Sequence, residues 1–137
     1  MIAGKLGFDA ATQLNLAVTK SFGKTEIKRF LKEIGKLEIN SIDELRDFLL
    51  IASGLYCPID HKYEYSIIDN NNLSVKILQC YVHKNVSLAG TTEIHQCAGK
   101  QRFIFWLQAL KLKGTVSNSS NTKDCNGTCE YIFNIQW

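Results

Sequence analysis

The first part of the chain repeats apolar residues with the period of an α-helix in three successive segments. The first segment covers residues 9–22 and stops before Gly23, because glycine commonly ends a helix. The second covers residues 25–34. The third, residues 41–52, opens with Ser41-Ile42-Asp43-Glu44, the capping-box pattern in which the serine and glutamate side chains bond the first unpaired amides. These patterns predict three N-terminal helices.

The pattern changes after Leu55, where β-branched and aromatic residues become frequent. Residues 61–68 and 73–82 alternate like strands, and the polar run between them favours a tight turn, so a β-hairpin is predicted. Residues 84–91 are predicted as a loop. A helix then starts at Thr91 or Thr92 and reaches about Leu110, with an aromatic stripe that is typical of a core-facing surface. Gly99 weakens the middle of this segment, so two shorter pieces are the alternative.

Two more strands are predicted near the end of the chain, over residues 114–117 and 129–137. The order of elements is then ααα-ββ-α-ββ. It predicts an α+β fold, with N-terminal helices plus one later helix packed on an antiparallel sheet of about four strands. A length of 137 residues fits a single domain, 1–137, with a helical part at 1–54 and a sheet and cysteine-bearing part at 55–137.

Hydropathy and charge exclude several classes of protein. No segment approaches the roughly 20 apolar residues of a membrane span. The N-terminus lacks the pattern of a secretory signal, so a cytoplasmic location and reduced thiols are expected. The net charge is only +3. Three helices before a hairpin would suit a winged-helix DNA-binding domain, but Asp43, Glu44 and Asp47 outnumber Arg46 on the third helix and would repel phosphates, which argues against a nucleic-acid partner.

Cysteine is the residue type with the clearest chemical potential. Four of the five cysteines follow residue 79. Cys125 and Cys129 could hold a tetrahedral Zn²⁺ with Cys80 and Cys97 as the other ligands, and His83 or His95 could replace one thiolate. Soft thiolates favour zinc over magnesium or calcium. The alternative is that Cys80 and Cys97 are small buried apolar residues.

The same thiols allow covalent chemistry. Cys97 is predicted within the first turns of a helix, where the helix dipole lowers a thiol pKa. His83 is the candidate partner across the fold, since His95 is too near in sequence to share the helical face of Cys97. A reversible Cys125–Cys129 disulfide is a third hypothesis for these thiols. Cys57 is interpreted as incidental, and His61 as an exposed residue at the start of a strand.

The cysteine positions resemble those of a group of small prokaryotic domains. The pattern is Cys80 in a strand, Cys97 entering a helix and the terminal Cys129-Glu130-Tyr131-Ile132-Phe133, together with the N-terminal Leu6-Gly7-Phe8-Asp9-Ala10-Ala11. It is similar to an uncharacterised family, to the related L-2-amino-thiazoline-4-carboxylate hydrolase family and, distantly, to 4-vinyl reductase type domains. The resemblance implies an α+β domain with converging cysteines. Ala98-Gly99-Lys100 stands where the hydrolases carry an acidic residue after the cysteine.

Three functions remain open on these grounds. The first is a cytosolic module that binds a small molecule or a metal ion at a cysteine cluster and acts as a sensor. The second is a cysteine-dependent hydrolase of a small cyclic amide or thiazoline, with Cys97 as nucleophile and His83 as the weaker catalytic candidate. The third is a structural or homodimer-forming domain that associates through Phe133 and Trp137 of the last strand, if these side chains are exposed.

Overall fold

The computed structural model describes residues 4, 7–35, 38–119 and 125–137. In these ranges four helices and four strands follow one another in the order αα-ββ-αα-ββ. The predicted α+β class is confirmed, because the helices lie against one antiparallel sheet of four strands. The elements are α1 (Phe8–Ile34), α2 (Ile42–Tyr56), β1 (Lys62–Ile67), β2 (Asn72–Gln79), α3 (Tyr81–Leu88), α4 (Gly99–Ala109), β3 (Lys113–Asn118) and β4 (Cys129–Gln136).

Helix α1 is continuous, so the predicted break at Gly23 is wrong. Gly23 is buried in the middle of the helix, and a Cβ there would lie 3.3 Å from Cβ of Phe105 and 3.6 Å from Cδ1 of Trp106. The glycine therefore serves the close approach of α1 to α4. Thr25 does not cap a second helix, because its hydroxyl donates to the Ser21 carbonyl at 2.9 Å inside the same helix.

Helix α2 follows its sequence pattern closely. The amide of Glu44 donates to Ser41 Oγ at 3.2 Å, as a capping box requires. The Glu44 carboxylate accepts from the amide of Asn40 at 2.9 Å, one residue before the cap. The predicted apolar face is buried in full and forms the centre of the helical layer, with Ile42, Leu45, Phe48, Leu49 and Ala52.

The sheet has the strand order β1-β2-β4-β3, and each strand is antiparallel to its neighbour. The predicted β1–β2 hairpin is confirmed, and Asp69 closes its turn by accepting from the amides of Asn71 and Asn72 at 2.8 and 2.9 Å. The core lies between one sheet face and the helices. Its sheet side is formed by Leu73, Val75, Ile77, Val116, Tyr131, Phe133 and Ile135.

The segment between β2 and α4 differs from its prediction. β2 ends at Gln79 instead of residue 82, and α3 occupies most of the predicted loop at 84–91. Cys80 ends the strand because its amide donates to the Gly127 carbonyl at 2.9 Å. Its Sγ accepts from the His83 amide at 3.5 Å and so caps α3.

Helix α4 starts at Gly99, later than the predicted Thr91 or Thr92. Residues 92–94 form a turn, and residues 95–98 have no regular structure. The predicted aromatic stripe does face the core, since Trp106 is 1% exposed and Phe103 stacks edge-on to Phe133 at 5.1 Å between ring centres. None of the helices in the described ranges is both long and apolar enough to cross a membrane.

Candidate functional site

Two adjoining cavities open near the junction of β2, β4 and α4. The larger has a volume of about 230 Å³ and the smaller about 200 Å³. They share five lining residues, which are Cys80, Val82, His95, Cys97 and Cys125. The shared wall therefore consists of three thiols, an imidazole and one aliphatic side chain, and both cavities present sulfur to whatever they hold.

The two cavities gather every cysteine and every histidine of the chain. Cys57, His61 and Cys129 line the larger cavity, and His83 lines the smaller one together with Glu93. The structure thus brings together all the candidate residues that the sequence indicated, Cys80, Cys97, Cys125, Cys129 and His83. It adds Cys57, which the sequence had left as incidental, and His61, which is half-buried instead of exposed.

The loop before β4 holds Cys125 near α3. Gly127 has φ +92°, a conformation that favours glycine, and its carbonyl accepts the Cys80 amide. A Cβ at Gly127 would lie 2.9 Å from Cδ2 of His83. This close approach sets the start of α3 beside the loop, so that Cys80, His83 and Cys125 face one space.

Cys97 lies before α4 instead of inside it, so the predicted position in the first turns of a helix is wrong. The Gly99 amide donates to Cys97 Sγ at 3.4 Å. The Tyr131 hydroxyl lies 3.8 Å from the same sulfur. Gly99 makes this arrangement possible, because a Cβ at this residue would overlap the Tyr131 hydroxyl. The environment of Cys97 is thus one amide and one phenol.

Burial keeps several of the thiols protonated at neutral pH. It raises the pKa of Cys129 to about 11, while the hydroxyl of Tyr131 opposes that shift. Burial also raises the pKa of Cys80, against the amide of His83, and the pKa of Cys57, against the positive charge of Arg102. Metal binding at these thiols must therefore release protons, so metal affinity should rise with pH.

The half-buried imidazoles favour their neutral form. Burial lowers the pKa of His61, and the nearby Arg102 lowers it further. Burial also lowers the pKa of His95, with the charge of His83 as a second cause. The Tyr81 amide donates to His61 Nδ1 at 3.2 Å, so neutral His61 carries its proton on Nε2. Neutral imidazole is the form that binds metals.

In the present side-chain arrangement the thiols do not form a closed metal site. Within the ranges that the structure describes, no three His, Cys, Asp or Glu side chains are grouped so that they could hold a metal ion. Cys80, Cys97, Cys125 and Cys129 nevertheless border the same cavity. Zinc coordination by these four residues stays a prediction, and it requires rotation of thiol side chains into the cavity.

An ion pair beside the larger cavity was not predicted from the sequence. Arg102 Nη2 donates to Glu26 Oε1 at 2.6 Å and Arg102 Nε donates to Glu26 Oε2 at 3.2 Å, while Trp106 Nε1 donates to Glu26 Oε2 at 3.0 Å. The available signal was the i, i+4 spacing of Arg102 and Trp106, which places the arginine beside a core-facing aromatic residue. Its partner Glu26, 76 residues away in sequence, carries no such signal.

Comparison with known proteins adds no assignment. No protein-family model matches the chain, and no curated protein sequence matches it. The resemblance to the thiazoline hydrolase and 4-vinyl reductase type families therefore stays a prediction.

Proposed function

We propose that this chain is a non-catalytic binding module that takes a small ligand in its paired cavities and a soft metal ion at their thiol-lined wall. The observation that carries the proposal is the convergence of all five cysteines and all three histidines on these cavities, although they are spread over residues 57–129. These two residue types make up eight residues of 137, and each of the eight borders at least one of the two adjoining cavities. Thiols and imidazoles are ligands that a soft ion prefers.

The dimensions of the larger cavity indicate a small ligand. Its volume of about 230 Å³ lies below the ~300–1,000 Å³ of sites for drug-sized molecules. An apolar cavity of ~150 Å³ accepts benzene. The apolar part of its wall is formed by Ile77, Val82, Phe103 and Trp106. A molecule of one ring with a few substituents fits this space.

The shared wall offers the metal ligands. Cys80, Cys97 and Cys125 border both cavities, so these three are the first candidates for ligands of a common ion. Cys129 is the predicted fourth ligand. His95 is the neighbouring alternative, because its ring borders both cavities and favours the neutral form. A set of three or four thiolates with at most one imidazole suits Zn²⁺ in a tetrahedral site.

Titration with Co²⁺ as a spectroscopic substitute for Zn²⁺ tests the metal part. We expect thiolate-to-cobalt charge-transfer absorption, d–d bands of tetrahedral intensity, and displacement of Co²⁺ by one equivalent of Zn²⁺. Changing Cys97 or Cys125 to serine should abolish these bands. Cys57→Ser is the matched control, since Cys57 also borders the larger cavity but lies outside the predicted ligand set, and it should leave the spectrum unchanged.

The fourth ligand is identified by the same spectra. If the Cys129→Ser spectrum shows the loss of one thiolate ligand and the His95→Gln spectrum is unchanged, Cys129 is the fourth ligand. The reverse result assigns His95 as the fourth ligand. Absence of charge-transfer absorption in folded protein with five titratable thiols would refute metal binding at this wall.

A hydrolase that uses Cys97 is a second candidate, and the contacts of the Cys97 sulfur favour it. The Gly99 amide donates to Sγ and the Tyr131 hydroxyl lies 3.8 Å from it, so both contact the atom that would attack a substrate. The measurement is turnover of a small thiazoline by the wild type and by Cys97→Ser. Equal rates in both proteins would eliminate this candidate, and so would the absence of turnover in the wild type.

A further inference from the structure

Arg102 gives one part of the lining of the larger cavity a chemistry that differs from the rest. Among the described residues that line this cavity, Arg102 alone carries a permanent charge. The guanidinium uses Nε and Nη2 for Glu26, and Nη2 also donates to the Tyr56 carbonyl at 3.1 Å. It lies over the ring of Trp106, with its carbon 5.3 Å from the ring centre. The arginine is thus held in one orientation by contacts with α1, α2 and α4.

The contact of Arg102 with Glu26 leaves the Nη1 group of the guanidinium for a ligand. The hydrogen bonds of Arg102 to described residues use Nε and Nη2, and an arginine carries two further N–H groups on Nη1. Glu26 already accepts from Arg102 on both oxygens and from Trp106 on one, so it is occupied as an acceptor. An additional acceptor at Nη1 would not compete with these bonds.

His61 is a second N–H donor on the lining of the same cavity. Neutral His61 carries its proton on Nε2, because Nδ1 accepts the Tyr81 amide. The charge of Arg102 acts on both His61 and Cys57: it adds to the burial that lowers the pKa of His61, and it opposes the burial that raises the pKa of Cys57, where Glu26 acts in the other direction. None of the described lining residues of the larger cavity is acidic. Arg102 and His61 therefore offer N–H donors, with the arginine charge paired to Glu26, and the wall beyond them offers Phe103 and Trp106.

We propose that the larger cavity binds a small aromatic carboxylate. Its carboxylate accepts from Arg102 Nη1 and His61 Nε2, and its ring lies against Phe103 and Trp106. Charge-assisted bonds to arginine are the strongest hydrogen bonds available for such a group. The proposal specifies the ligand class of the small-ligand function above and rests on that part of it, whereas the metal part is independent.

The test compares benzoate with its neutral isostere benzamide, using toluene as the apolar reference. Binding is followed by isothermal titration calorimetry and by the fluorescence of Trp106 in a Trp137→Phe background, so that one tryptophan reports. We expect benzoate to bind at least ~10-fold more tightly than benzamide. Equal affinities, or a preference for benzamide, would overturn the proposal.

A matched pair of variants ties the preference to the ion pair. Arg102→Gln alone leaves Glu26 without its counter-ion, so the double variant Glu26→Gln/Arg102→Gln is used, which removes both charges and keeps hydrogen-bonding side chains. The ratio of benzoate to benzamide affinity should fall to about one. Arg46→Gln, on the exposed face of α2, is the control and should keep the wild-type ratio. An unchanged ratio in the folded double variant would overturn the assignment to Arg102.

Failure of this proposal is distinguishable from failure of the small-ligand function. If toluene binds and benzoate shows no advantage, the cavity takes small molecules without the carboxylate contact, and only the ligand class falls. If toluene, benzamide and benzoate all fail to bind to folded protein, both the ligand class and the small-ligand function fall, whatever the cobalt spectra show.

Discussion

Replacing Glu26 with alanine removes the acceptor of three hydrogen bonds and the counter-ion of Arg102. The Glu26 side chain is 15% exposed and that of Arg102 is 31% exposed, so the pair is largely but not fully desolvated. Removal of one partner of a buried pair costs about 3–5 kcal/mol, and water access to Arg102 points to the lower end. Trp106, 1% exposed, would lose the partner of its N–H, which adds about 1 kcal/mol. We expect the free energy of unfolding to fall by about 4 kcal/mol.

The assay is urea unfolding, followed by circular dichroism and tryptophan fluorescence. Glu26→Gln also removes the counter-ion but keeps one carbonyl oxygen that can accept from Arg102 Nε and Trp106 Nε1. It should therefore cost less than Glu26→Ala, by about 1 kcal/mol. Asp47→Ala is the matched control: Asp47 pairs with Arg46 at 2.8 Å but is 64% exposed, and exposed pairs contribute about 0–1 kcal/mol. A loss in Glu26→Ala no larger than in Asp47→Ala would refute the view that this ion pair joins α1, α2 and α4.

Two further predictions concern Gly99 and Cys129. Gly99→Ala should destabilise the protein by about 1–3 kcal/mol, because its Cβ would overlap the Tyr131 hydroxyl, and Tyr131→Phe in the same chain should recover part of the loss in urea unfolding. Full stability of Gly99→Ala would contradict this contact. The raised pKa of Cys129 means that the folded state holds the thiol proton more tightly. Its contribution is present below the unfolded pKa of about 9 and declines as pH rises toward about 11. Unfolding at pH 8–11 should show a steeper loss in the wild type than in Cys129→Ser, and identical pH profiles would count against it.

Local sequence patterns correctly predicted the elements that are stabilised mainly by interactions between near neighbours in the chain. The stripe from Ile42 to Ala52 and the Ser41 cap specify α2, and both are confirmed. The Asp69 turn specifies the hairpin, because its side chain can satisfy two amides without help from the rest of the fold.

The incorrect predictions concern elements that depend on contacts with segments distant in sequence. Gly23 weakens a helix by its own propensity, yet Phe105 and Trp106 of α4 occupy the space that a side chain would need, so the glycine is used inside α1. No residue of helix α3 is buried, so packing in the core does not specify it. It forms where the amide of Cys80 leaves the β-ladder to bond Gly127.

The candidate site divides in the same way. The residue types and their late positions indicated a cysteine cluster, and the structure places Cys80, Cys97, Cys125 and Cys129 around one cavity. Tyr131, His61 and Arg102 could not be assigned to it in advance. Their roles depend on contacts across the fold, such as the phenol beside Cys97 and the carboxylate of Glu26 behind the guanidinium.

The sequence by itself determined the α+β class, the capped helix α2 and the hairpin, because hydrophobic periodicity, caps and turns act between near neighbours. It also determined which thiols are present. Tertiary structure alone decided that α1 runs through Gly23, that α3 replaces a loop, and that all the cysteines and histidines face two joined cavities with Arg102 at one end. These outcomes depend on the space and the hydrogen-bond partners that distant segments provide, which no local pattern encodes.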